Sequence, residues 1–187
     1  MIIKKNSYHN LLLIASILLI LVPPVLVSGP FLPDLFIVII SIIFLFIYYS
    51  QKEFILENTL FLNLFLLFYT YLIFTSIISE NFVQSIKPSI TYIRFGFFSL
   101  AICFILENRD DFKKYFYLVL SLTLGVLIFD GFFQFITGQN LFGYEVNRPD
   151  RLGGLFFDEL ILGSYLGKIL PIFCTFSLLN KEHINKY

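Results

Sequence analysis

Long apolar runs separated by short polar stretches make up almost the whole chain. A helix needs roughly 17–25 residues to cross a hydrocarbon core about 30 Å thick. Backbone groups in lipid must also be paired within their own segment, which favours helices. Six runs reach or approach that length: 11–27, 35–49, 59–78, 90–106, 115–136 and 160–179. The pattern predicts an all-α, polytopic transmembrane bundle of about six spans, forming a single domain over 1–187 with an outer loop at 137–152.

Proline and glycine residues predict where these runs are interrupted. The stretch between the first two runs contains Pro23, Pro24, Gly29, Pro30 and Pro33. Such residues mark turns, so we expect the first span to end here and the chain to turn tightly into the second, which Phe31 and Leu32 can extend. Pro88 is expected in the first turn of the fourth span, where a missing N–H costs little.

Composition agrees with a membrane location and excludes other classes. The chain is 58% hydrophobic and 14% charged, whereas soluble domains carry about 25% charged residues. Its net charge of zero gives no basic field for nucleic acid, so no nucleic-acid partner is expected. Cys103 and Cys174 lie inside apolar runs and are expected to be buried. We find no pattern for a metal site and expect no cofactor.

The distribution of basic residues predicts the orientation. Cytoplasmic loops of membrane proteins carry an excess of lysine and arginine. The side that holds the N-terminus carries eight such residues: Lys4, Lys5, Lys52, Arg109, Lys113, Lys114, Lys181 and Lys186. The opposite side carries Lys87, Arg148 and Arg151. Both termini are therefore predicted to be cytoplasmic, and the outer side is the periplasm if the cell has two membranes.

Three charged residues fall inside the predicted spans, at a cost of about 2.5–3.5 kcal/mol each on insertion scales. They are Arg94, Asp130 and Lys168, and all three are nearer the outer side than the inner side. We expect them to share one polar cavity open to that side, with Gln134 lining its mouth one turn beyond Asp130. Two cations and one acid favour an anionic ligand. The alternative is a structural ion pair of Asp130 with Arg94 or Lys168 that joins helices.

The outer loop adds two arginines to the predicted site. Arg148 and Arg151 offer planar guanidinium groups suited to phosphate, and Gly153 and Gly154 allow the backbone to approach a ligand or helix closely. The loop and the span that follows it are therefore interpreted as the rim and wall of an outward-facing site for an anion. A phosphate carried on a lipid fits a site that opens sideways to the bilayer.

These residues resemble a known family. The segment RLGGLFFDELILGSYLGKILP, beginning at Arg151, resembles the stretch that follows an outer loop in the O-antigen ligase and O-antigen polymerase superfamily. The matching positions are Arg151, Gly153, Gly154, Gly163, Ser164, Tyr165, Leu166, Lys168, Leu170 and Pro171. FDGFFQFITGQNLFGY at 129–144 and SITYIRFGFFSLAICFILEN at 89–108 are similar to the preceding span end and to the arginine-bearing span. The resemblance covers about 88–171.

The resemblance implies a metal-independent membrane glycosyltransferase. A ligase of this kind moves a polyprenyl-diphosphate-linked glycan onto a lipid A core acceptor in lipopolysaccharide or surface polysaccharide assembly, and a polymerase moves it onto another repeat unit. By position, Arg94, Arg151 and Lys168 would face the diphosphate, and no catalytic base is assigned. Members of the family are longer, so we expect this chain to correspond to their amino-terminal half and to require a second half or partner chain.

Two other functions fit the same pattern of spans and charges. One is a small-anion transporter or binding subunit, which often carries an inverted repeat with broken helices; we find no such repeat in the sequence. The other is a membrane scaffold whose charges only join helices. Exchanging Asp130 and Arg94 would preserve the function of a scaffold if the two formed a simple pair.

Overall fold

A computed structural model describes residues 5–51, 59–145, 151–157 and 159–184, and within them the chain is helical. Its helices are α1 (Lys5–Val25), α2 (Phe31–Gln51), α3 (Thr59–Ile78), α4 (Phe82–Thr91), α5 (Ile93–Asn108), α6 (Asp110–Thr137) and α7 (Leu162–Ile184). Short 3₁₀ helices occupy Leu26–Ser28 and Gly154–Phe156. These ranges contain no strand, although Gln139 and Glu145 form an isolated bridge. The all-α prediction is confirmed.

Five segments of the described chain are long and apolar enough to cross a membrane, as expected of a multi-pass protein. They are Ser7–Ser28, Phe31–Ser50, Leu60–Ile78, Phe82–Asn108 and Asp110–Thr137, and a shorter apolar helix follows at Leu162–Leu178. Five of the six predicted spans are found as helices of this kind, and the sixth, 160–179, corresponds to the shorter apolar helix. Cys103 and Cys174 are free and exposed on their helices, so the expectation that they are buried was wrong.

Pro88 lies near the end of a helix rather than at the start of one, so its predicted position was wrong. It is inside α4, which begins at Phe82. Because proline has no N–H and crowds the preceding turn, it weakens the helix around it. The Tyr92 amide donates to both Pro88 O (3.0 Å) and Ser89 O (3.3 Å), and a new helix, α5, begins at Ile93. The fourth span is therefore an interrupted helix.

The chain forms two compact units, of which the first comprises Met1–Leu19 and Asp34–Asn108. Its buried residues include Ile40 and Phe44 on α2 and Phe104 and Ile105 on α5. Gly96 on α5 lets α3 approach, because a side chain there would collide with the ring of Phe65. Helix α3 therefore packs along both α4 and α5 in this unit.

The second unit comprises Ile20–Pro33 and Arg109–Tyr187. Helices α6 and α7 run antiparallel, because Tyr117 stacks on Phe173 while Gly131, farther along α6, meets Leu162 at the start of α7. The Tyr165 hydroxyl donates to Pro23 O at 2.7 Å, which satisfies one of the carbonyls at the end of α1. The single domain over 1–187, and its place as half of a longer architecture, stay predictions.

Candidate functional site

Arg94 forms an ion pair with an acid that the sequence reasoning passed over. Its Nη1 donates to Asp34 Oδ2 at 2.7 Å, and its guanidinium lies 5.1 Å from the centre of the Phe95 ring. Asp34 is in the first turn of α2, and Arg94 is in the first turn of α5. The pair between Arg94 and Asp130, one of the predicted alternatives, is therefore replaced by a pair with Asp34.

A signal for this pair was present in the sequence. Asp34 follows Pro33 at the outer end of the second predicted span, the same side as Arg94. Asp34 precedes the predicted span 35–49 by one residue, so it was not among the charges expected inside the spans. Because Asp34 compensates its charge, Arg94 contributes little net attraction to an anion. Its Nε is buried and has no hydrogen-bond partner among the described residues.

Asp130 lies in a different setting from Asp34. Its side chain is 0% exposed, and Oδ1 accepts a hydrogen bond from the Leu141 N–H at 2.8 Å. Oδ2 is buried with no hydrogen-bond partner in the described parts of the chain, where the ion pair found is that of Arg94 with Asp34. The sequence led us to expect an excess of buried positive charge. In the second unit the structure instead has a buried carboxyl group, that of Asp130, which accepts a hydrogen bond from the backbone.

Gln134 and Asn140 bind the backbone N–H and the backbone C=O of one residue, Gly154. Gln134 Oε1 accepts from the Gly154 N–H at 2.8 Å, and Asn140 Nδ2 donates to Gly154 O at 2.8 Å. Asn140 Oδ1 also accepts from the Phe142 and Tyr144 amides, at 3.0 and 2.9 Å. Both amide side chains are only 2% exposed. Asn140 was not singled out from the sequence, although asparagine before a glycine-containing turn is a known turn signal.

Glycine is required at position 154 by its backbone and by its neighbours. Its φ is +56°, in the left-handed region that favours glycine. A Cβ there would lie 3.2 Å from Asp130 Oδ2 and 3.2 Å from a methyl group of Leu162. The close backbone approach predicted for Gly153 and Gly154 is found. Gly154 approaches helices α6 and α7, whereas a Cβ at Gly153 would meet the backbone of Phe157 and Glu159. We call Asp130, Gln134, Asn140 and Gly154 the polar knot.

An apolar groove lies beside the knot. It has a volume of about 390 Å³ and is lined by Leu127, Ile128, Gly131, Phe132, Phe135, Leu152, Leu162 and Leu166. Leu152 is preceded by Arg151, whose side chain is exposed. The groove therefore has a cationic residue next to one of its walls, in the segment that the knot anchors.

The remaining predicted cations are placed differently from Arg151. Lys168 is exposed, six residues beyond Leu162 on α7, so it lies about 9 Å along the helix and about 120° around it. It faces away from the groove wall formed by Leu162 and Leu166. Arg148 lies outside the described residues. The structure thus brings Asp130 and Gln134 together around Gly154, and Arg151 directly precedes Leu152, a residue of the groove wall.

The arrangement suits an anion attached to a hydrocarbon chain. An exposed guanidinium binds phosphate oxygens in a planar, two-point geometry, and a groove of this size is within the range of small-molecule sites. The buried knot supplies a rigid support for the segment that carries the arginine. No protein-family model, curated protein or solved structure matches this chain.

Proposed function

We propose that the chain binds a polyprenyl-diphosphate-linked glycan in the bacterial inner membrane, with its site on the periplasmic face. In this proposal it belongs to an O-antigen ligase-like glycosyltransferase that moves the glycan onto a lipid A core acceptor in lipopolysaccharide or surface polysaccharide assembly. The O-antigen polymerase reaction, with another repeat unit as acceptor, is the alternative within the same superfamily. The resemblance over 88–171 supports both.

The observation that carries the proposal is the position of Arg151 beside the apolar groove. The groove is open on the surface formed by α6 and α7, and its lining side chains are hydrocarbon. A polyprenyl chain requires such a surface, and its diphosphate requires a cation at the end of it. Arg151 is exposed and immediately precedes Leu152 in the groove wall, so one short segment provides both contacts.

The chemistry of glycosyl transfer gives a fixed arginine a definite role. When the bond between the sugar and the diphosphate breaks, negative charge develops on the departing diphosphate. A preorganised cation stabilises that charge more than it stabilises the bound donor, and this difference lowers the barrier. Arg151 is our candidate for this role. Arg94 is assigned to its pair with Asp34, and Lys168, which faces away from the groove, is not assigned to the ligand.

Binding of a polyprenyl diphosphate to the full chain in lipid nanodiscs tests the proposal. Arg151→Ala should weaken binding about tenfold or more, since a hydrogen bond to a charged group contributes about 1.5–3 kcal/mol. Lys114→Ala, on the predicted cytoplasmic side, is the matched control and should leave binding unchanged. Equal affinity for wild type and Arg151→Ala would contradict the assignment. Equal affinity for free pyrophosphate and the lipid-linked form would favour a small-anion transporter or binding subunit instead.

A further inference from the structure

The segment that carries Arg151 is tied to α6 and to the turn after it through the backbone of one residue, Gly154. Gly154 donates its N–H to Gln134 and receives a hydrogen bond from Asn140 at its carbonyl, both at 2.8 Å. Two side chains from elsewhere in the chain thereby satisfy both polar groups of one residue. Hydrogen bonds in a dry interior are stronger than in water, because the local dielectric constant is low. The backbone of Gly154 is therefore a fixed point in this segment.

The fixed point restricts where Arg151 can go. Three residues of chain reach at most about 10 Å, so the backbone of Arg151 must stay within that distance of Gly154. Phe156, on the other side of Gly154, is buried in the core with Leu127, Leu162 and Tyr165. The segment is thus held at its centre by hydrogen bonds and at its end by apolar packing.

Asn140 also connects the segment to the turn that follows α6. Its Oδ1 accepts the amides of Phe142 and Tyr144, while its Nδ2 is used for Gly154. The adjacent amide, that of Leu141, is held by Asp130. One buried asparagine therefore closes the turn and joins it to the segment of Arg151.

We propose that Gln134 and Asn140 are positioning residues. They hold the backbone N–H and C=O of Gly154 so that Arg151 stays beside the apolar groove. The proposal rests on the proposed function, because it assigns to Arg151 the anionic head of the lipid. The two residues act through Arg151 and do not touch the ligand. Their contribution to binding should therefore exist only when Arg151 is present.

The test uses Gln134→Met in the full chain in nanodiscs, since methionine has a similar shape but lacks the amide acceptor. Two quantities are measured: hydrogen exchange of the amides at 152–157, and affinity for a polyprenyl diphosphate. We expect the Gly154 amide to exchange about tenfold faster, the effect of losing a hydrogen bond of about 1.4 kcal/mol. We expect affinity to fall about three- to tenfold for the same reason.

A double-mutant cycle separates positioning from a general loss of structure. In an Arg151→Ala background, Gln134→Met should reduce affinity no further, although the faster exchange persists. Gln139→Met provides the matched control, because Gln139 is an exposed residue near the same turn, and it should change neither quantity. Asn140→Ser is the second variant if Gln134→Met fails to fold; it removes the amide donor to Gly154 while keeping a hydroxyl acceptor for the turn.

The outcomes distinguish this proposal from the function on which it rests. If wild type binds the lipid and Gln134→Met binds it equally well, the positioning role is overturned and the function stands. Equal losses with and without Arg151 would also overturn positioning, since the effect would then not pass through the arginine. If wild type binds no polyprenyl diphosphate, the proposed function and the positioning role fall together.

Discussion

Two acidic residues inside apolar helices are accommodated in opposite ways in the two units. In the first unit, the side chain of Asp34 is 42% exposed and pairs with Arg94, which is 32% exposed. In the second unit, Asp130 is 0% exposed and is held by a backbone amide. One acid is compensated by a cation on another helix, and the other by the fold of a loop.

The difference follows from how much water or headgroup each acid can reach. A partly exposed ion pair loses little solvation when it forms and also gains little from forming. A fully buried carboxyl group has lost its solvation completely, so each hydrogen bond that it retains carries more free energy. Removing Asp130 should therefore affect stability more than removing Asp34, although Asp34 is the residue with an ionic partner.

The largest expected effect comes from replacing Asp130 by an apolar residue. Asp130→Leu leaves the amide of Leu141 without its acceptor and releases the turn after α6, which should cost about 2–3 kcal/mol in the free energy of unfolding. Asp130→Asn keeps an acceptor of the same shape and should cost less than half as much. Unfolding in mixed micelles measures both, and equal losses for Leu and Asn would show that the hydrogen bond is unimportant.

An intermediate effect is expected from adding a methyl group to the polar knot. Gly154→Ala must keep a φ of +56°, at a cost of about 1–2 kcal/mol for a left-handed residue. The new Cβ would also press on Asp130 Oδ2 and Leu162. The control is Gly125→Ala in α6, where nothing lies within 4 Å of an added Cβ. That variant should be neutral or slightly stabilising, and a similar loss in both would contradict the role of Gly154.

The smallest effect is expected in the first unit, at the ion pair itself. A double-mutant cycle with Arg94→Gln and Asp34→Asn should give a coupling free energy of about 0.2–1 kcal/mol, the range of partly exposed pairs. The same micelle unfolding measurement gives all four values of the cycle. If this coupling free energy equalled the loss of unfolding free energy in Asp130→Leu, the contrast between the two acids would be wrong.

Sequence reasoning predicted the helices well and the contacts of their polar residues poorly. The third span, 59–78, coincides with α3 (Thr59–Ile78), because a long apolar run needs no information from other segments. The interruption after Pro88 was missed, because the apolar pattern continues across it and only the backbone geometry at Tyr92 divides the helix. Asp130 and Gln134 share a face of α6, as residues four apart do, but both are buried against backbone amides instead of lining the mouth of a cavity.

The sequence by itself determined that this is an all-helical, multi-pass chain, because hydrophobicity and length are properties of each segment alone. Only the tertiary structure decided the partners of the polar groups. Arg94 meets an acid 60 residues away. The backbone N–H and C=O of Gly154 meet the side-chain amides of Gln134 and Asn140, which are 20 and 14 residues away. Hydrogen bonds and ion pairs act over about 3 Å, so their partners depend on how segments pack, and several polar residues in the sequence were equally eligible before packing was known.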